Sequence, residues 1–125
     1  MTIAEILLQD FDHEMAGTRT TLERIPTDKP DFKCHDKSMP MGCLAVHVAS
    51  LPRFGTSILT TPGMDLATTQ FPALVFESRE KLLETFDTLA AEARAALAKS
   101  SDADLQQIWK FSSGDKLISN LPRSA

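Results

Sequence analysis

The residue in this sequence best placed to do chemistry is His47. It stands in the run Met41-Gly42-Cys43-Leu44-Ala45-Val46-His47-Val48-Ala49-Ser50-Leu51. Three positions separate it from Leu44 and four from Leu51, the spacing that puts side chains on one face of a helix. An imidazole inside a stripe of leucine and valine must find a hydrogen-bond partner or a metal. A hydrogen-bonded core histidine is the commoner outcome for that pattern, and a zinc-type site needs three or four ligands. The other candidate groups are scattered. Glu14 follows Phe11 by three and precedes Met15, so a carboxylate lies at the edge of an apolar helix face. It either aims into a site or reaches out to solvent or an arginine. His13 flanks it about 100° around the same helix, and His35 has no spacing that brings it to His47. Cys34 and Cys43 form no Cys-x-x-Cys pair and read as reduced, partly buried thiols. The sequence contains no His-x-x-x-His pair, no Gly-x-Ser-x-Gly elbow, no phosphate-cradling glycine loop and no dinucleotide fingerprint.

The elements that must position these groups are mostly helical. Ile3, Leu7, Phe11, Met15, Leu22 and Ile25 recur at the period of one helix face, which predicts a first helix over 2–25. Thr2 and Glu5 fit a capping box at its start, and Pro26 disfavours helical geometry at Ile25. A long connection follows to Pro40. A second helix is predicted from Ser38 or Met39, with Pro40 in its first turn, to Leu51 or Phe54; its stripe of Met41, Leu44, Val48 and Leu51 turns His47 inward. Gly55 to Pro72 reads as a second connection. A third helix runs from just after Ser78 to about Lys99, with Leu82, Phe86, Leu89, Ala90, Ala93 and Leu97 on one face. Ser100, Ser101 and Asp102 break the pattern and can cap a short helical turn at Ala103 to Gln107. Alternation in Ile108-Trp109-Lys110-Phe111 and in 116–121, across the turn residues Ser112-Ser113-Gly114-Asp115, predicts a small hairpin over 108–121.

Composition narrows the function classes. The chain has 125 residues, 42% hydrophobic and 24% charged, enough for one core and one domain over 1–125. A net charge of −4 with interleaved signs lacks the basic footprint of nucleic-acid binding. No apolar run approaches the roughly 18 to 20 residues that span a bilayer, and the N-terminus does not look like a signal peptide, so the expectation is a cytoplasmic protein with no membrane partner.

Phe11-Asp12-His13-Glu14, Thr18, Leu22 and Ile25-Pro26, then Lys37-Ser38-Met39, Gly42-Cys43-Leu44-Ala45-Val46-His47-Val48-Ala49 and Leu51-Pro52, taken together, resemble the DinB/YfiT-like superfamily. Trp109-Lys110-Phe111 through Leu121-Pro122-Arg123 is similar to that family's approach to its last helix. The resemblance implies an all-α, up-down helical bundle, with three main helices present, the fourth missing or very short, and the domain C-terminally incomplete. It also implies a homodimer and a divalent metal, zinc or nickel, held by one histidine of the second helix and a His-x-x-x-His pair on the last. His47 matches the first of these ligands, and the other two have no match in this sequence. The function implied is a divalent-metal-binding protein with an incomplete site that is not catalytic alone. The alternative is a metal-dependent thiol transferase or hydrolase-like enzyme, taking a small-molecule thiol, whose site is completed by another subunit or by further sequence. Glu14 would then orient a ligand.

Overall fold

The computed structural model describes residues Met1–Ala125. Its first helix, α1 (Ile3–Glu23), begins as the capping pattern dictates: the Thr2 hydroxyl accepts the Glu5 N–H at 3.1 Å and the Glu5 carboxylate accepts the Thr2 N–H at 2.8 Å. It ends at Arg24, two residues before Pro26. α2 (Met41–Ser50) and α3 (Pro52–Thr60) are almost one helix. Leu51 between them keeps helical angles (φ −57°, ψ −35°), and Pro52, which has no N–H to donate, occupies the first position of α3. A short strand, β1 (Gly63–Asp65), precedes α4 (Arg79–Lys99), whose Ser78 cap accepts the Lys81 N–H at 3.1 Å. A single-turn α5 (Asp102–Gln106), capped by Ser101, leads into the hairpin β2 (Ile108–Ser113) and β3 (Lys116–Pro122).

α4 is the hub. α1 runs antiparallel to it, fixed by two forked ion pairs: Arg94 donates to both oxygens of Asp12 at 2.7 and 2.8 Å, and Arg19 to both oxygens of Asp87 at 2.9 and 3.0 Å. These pairs are half-exposed, so they set register more than they stabilise. The apolar work is done by Leu22, Ala45, Ala49, Leu82 and Phe86, with Ala4, Leu97 and Leu105 in a second cluster at the other end. The contribution of α2 to this core is small side chains: Gly42, Ala45 and Ala49 are buried while Leu44 is 48% exposed. Small residues let α2 approach α4 closely enough for Phe86 to fill the gap.

Gly42 shows how tight that approach is. A Cβ there would lie 2.9 Å from the Phe76 Cβ and 3.0 Å from the Pro30 Cβ, both on segments that cross α2. We expect Gly42→Val to reduce stability by about 1–3 kcal/mol through overpacking. Gly17→Ala, at a helical position with nothing within 4 Å, should instead add about 0.5–1 kcal/mol. Urea midpoints of the two variants moving the same way would contradict this packing.

The all-α expectation is corrected by a three-stranded sheet of order β1-β2-β3, so the fold is mixed α and β rather than an up-down helical bundle. The hairpin pairs antiparallel from Ile108↔Pro122 to Ser113↔Lys116, with a bulge between Phe111 and Ser112. β1 adds to it in parallel, Gly63 against Lys110 and Asp65 against Ser112. Parallel neighbours need a crossover, which α4 supplies. Three residues carry no readable alternation, and their partner is remote in sequence, so local pattern hides β1. Gly63 is required there, because a Cβ would collide with the Lys110 carbonyl oxygen. A second correction concerns Gly55 to Pro72, whose first part is α3 and not a connection. Its glycine, serine and threonines are weak helix formers, and packing on α4 overrides that weakness.

Four aspartates have carboxyls held below the ordinary value of 3.8. The causes are hydrogen bonds: from Arg94 to Asp12, from Arg19 to Asp87, from the Gly114 and Ala67 amides to Asp65, and from the Ser101 amide and hydroxyl to Asp104. A folded-state pKa below the unfolded one contributes stability that is complete above the unfolded value and disappears as pH falls through the folded value. The urea midpoint should therefore be flat down to about pH 4 and drop below it. A midpoint that held constant to about pH 2 would show that these bonds do not matter to folding.

Candidate functional site

Carried through Leu51 and Pro52, the helical period of α2 and α3 aligns His47, Ser50, Leu51, Phe54 and Ser57 on one stripe. That stripe is opposite in sense to the small-residue face that meets α4. It forms one wall of a groove of about 570 Å³. Met39 ahead of α2, Met64 of β1 and the extended segment around Phe71 and Leu74 make up the rest.

Each wall is held by identifiable bonds. The Cys43 thiol donates to the Leu74 carbonyl at 3.3 Å, tying the extended segment to α2. The Thr69 hydroxyl and amide donate to the Asp65 carbonyl at 2.7 and 3.0 Å. The Asp65 carboxylate in turn accepts the Ala67 and Gly114 amides, each at 2.9 Å, which joins the end of β1 to the hairpin turn. Gly114 makes that turn with φ +60°, a conformation L side chains avoid. Phe54 sets its edge against Trp109 and Phe111 at 5.6 and 5.7 Å between centroids, which fastens the stripe to the sheet.

His47 is exposed in this groove, and the expectation that it turns inward is corrected. The reason is that α2 presents two candidate faces, one of large residues and one of Gly42, Ala45 and Ala49, and close packing on α4 selects the smaller. Leu51, which continues the same face, is 50% exposed. Of the stripe expected from the sequence, His47 and Leu51 line the groove, whereas Val48 packs against the core and Met41 and Leu44 are not among the groove residues.

The other sequence candidates lie elsewhere. His13 and Glu14 are on the solvent face of α1, where the Glu14 carbonyl accepts the Thr18 hydroxyl at 3.0 Å. His35 is exposed in the loop before α2, its Nδ1 accepting the Lys37 amide at 3.1 Å. Cys34 is exposed beside Ser38, Sγ to Oγ 3.3 Å, and both cysteines are free thiols. No three His, Cys, Asp or Glu side chains are grouped as a metal site would require. The residues present do not by themselves fit a divalent ion.

Arg53 is the functional candidate that sequence reasoning missed. It lines the groove with His47, and these two are its only ionisable side chains. The ion pairs of the structure engage Arg19, Lys81 and Arg94, and none engages Arg53. The signal that could have found it is the Leu51-Pro52-Arg53 step: proline suits the first turn of a helix, so the stripe need not stop there. Ser50 is no partner for the imidazole, because its hydroxyl donates to the Val46 carbonyl at 2.7 Å. The arrangement offers an exposed imidazole and an exposed, unpaired guanidinium beside a groove lined by both apolar and polar side chains.

No family model, no curated protein and no solved structure matches this chain.

Proposed function

We propose that the chain is a DinB-like binding domain that is not catalytic by itself, and that it works through the groove of His47. The observation that carries this reading is an exposed imidazole and guanidinium, neither engaged by a protein carboxylate, beside one groove. His47 supplies one ligand to a divalent ion of zinc or nickel type. The remaining ligands come from a second copy of the chain, since a single imidazole holds such an ion weakly.

Support for self-association is the apolar surface of the hairpin. Ile108, Leu117 and Leu121 are each more than half exposed, and β3 is an edge strand with one unpaired side. A homodimer paired about a two-fold axis would cover both features; since β3 is the edge remote from β1 and contributes nothing to the groove, this surface supports self-association and not the completion of the His47 site. The proposed setting is the cytoplasm, in keeping with two unpaired thiols. No helix is long and apolar enough to cross a membrane.

Elemental analysis after zinc or nickel loading tests the metal part. We expect about one ion per two chains, lost in His47→Ala and retained in His13→Ala and His35→Ala. Binding that survives His47→Ala, or no stoichiometric ion in any form, would remove the metal from the proposal and leave the groove.

A further inference from the structure

We infer that the groove binds a small monoanionic amphiphile, an apolar aliphatic or aromatic body with one carboxylate or sulfonate head, and that Arg53 reads the head. The inference goes beyond the metal proposal and does not depend on it.

Charge is the first argument. Acidic residues outnumber basic ones by 17 to 13 in the chain, yet no Asp or Glu lines this groove and both ionisable groups that do are basic. Four of the other five arginines hold protein acceptors, although the buried Nε of Arg123 has none, and only Arg24 shares with Arg53 the lack of any side-chain bond. Arg19 and Arg94 fork onto aspartates, while Arg79 donates to the Ile25 carbonyl at 2.7 Å and Arg123 to the Thr61 carbonyl at 3.0 Å. Arg53 has no such bond and is exposed where it borders the groove. On its far side it borders a shallow hollow containing Glu84, but that carboxylate faces Lys81 at 3.9 Å. The planar fork of an unpaired guanidinium matches a carboxylate or sulfonate head.

The second argument is shape and lining. About 570 Å³ lies within the range of small-ligand pockets. Phe71 is 58% exposed and Leu51 50% exposed, so an apolar body lying along them removes surface that the fold leaves in water. A peptide or a strand of a second copy fits less well. Its backbone N–H and C=O groups need a row of partners, and of the groove's hydroxyl and amide side chains Ser50 and Thr69 are already bonded within the fold, leaving only Ser57 and Gln70.

Titration with two fluorescent probes of similar body, anionic anilinonaphthalene sulfonate and neutral phenylnaphthylamine, tests the inference on the full chain in EDTA. We expect Arg53→Gln to weaken the sulfonate about tenfold, the loss of one charge-assisted contact, with the neutral probe and the thermal midpoint unchanged. Leu51→Asp should weaken both probes, and decanoate should displace them better than decanol. The inference is overturned if Arg53→Gln leaves the sulfonate affinity intact, or if decanoate and decanol compete equally. It is also overturned if neither probe binds and Leu51→Asp dissociates a dimer, because a second copy then fills the groove. Anion preference that appears only when zinc replaces EDTA would assign the head to a metal and overturn the role of Arg53. Metal loading of His47 is measured with no organic ligand present, so either proposal can fail alone.

Discussion

Trp109→Ala is expected to lower stability by about 3–5 kcal/mol, the range for deleting a packed aromatic side chain. Trp109 is 6% exposed, stacks on Phe111 at 5.6 Å and 26°, and receives the edge of Phe54 at 5.6 Å. Its indole N–H donates to the Thr61 hydroxyl at 3.3 Å, at the exit of α3. The substitution therefore removes the indole bond to Thr61 and the Phe54–Trp109 contact, leaving Phe54 on Phe111 as the remaining aromatic link between α3 and the sheet. Trp109→Phe should lose less, since the apolar body stays and only the N–H is removed, about 1 kcal/mol. Because Phe54 also lines the groove, the alanine variant should lose probe affinity at denaturant concentrations where it is still folded. Urea unfolding followed by far-ultraviolet dichroism checks the first expectation. A loss below about 1 kcal/mol would mean that the aromatic trio does not carry the sheet.

Phe86→Ala should be as damaging for a different reason. Phe86 is 2% exposed and lies among Leu22, Ala45, Ala49 and Leu82, where α1, α2 and α4 meet. Two of those four neighbours are alanines, which cannot extend into the space it leaves. The cavity should persist, with a loss of about 3–5 kcal/mol. Against a total of about 5–15 kcal/mol for a domain, that leaves a marginal protein. With Trp109 as the fluorescent reporter of the sheet and dichroism as the reporter of the helices, both signals should unfold together. A sheet transition that stays at its original midpoint while the helices melt early would show that the two parts fold as separate units.

The two substitutions also separate what could be read locally from what could not. The Leu82, Phe86, Leu89, Ala93 and Leu97 face of α4 was legible because a 21-residue helix repeats its pattern many times, and those five residues are the buried ones. The capping box of α1 and the Ser101 cap of α5 were legible for a similar reason, since they are contracts between near neighbours. The hairpin residues alternate, and Gly114 supplies the turn. β1 was not legible. Its three residues gain their meaning only from pairing with Lys110 to Ser112, and the sheet they complete is what changes the fold class from helical to mixed.

For the site, the sequence by itself determined that His47 belongs to one stripe with Leu51 and Phe54, because helical spacing depends on residue order alone. Only the tertiary structure decided where that stripe points. α2 could turn His47 toward the core or away from it, and burying Gly42, Ala45 and Ala49 against Phe76 and Phe86 allows close approach to α4 while leaving His47 and Leu51 in the groove. It also brought Arg53 to the same groove, across a proline that local rules treat as a boundary. Side-chain order is a property of the chain, but the choice between two faces of one helix depends on the partner it packs against.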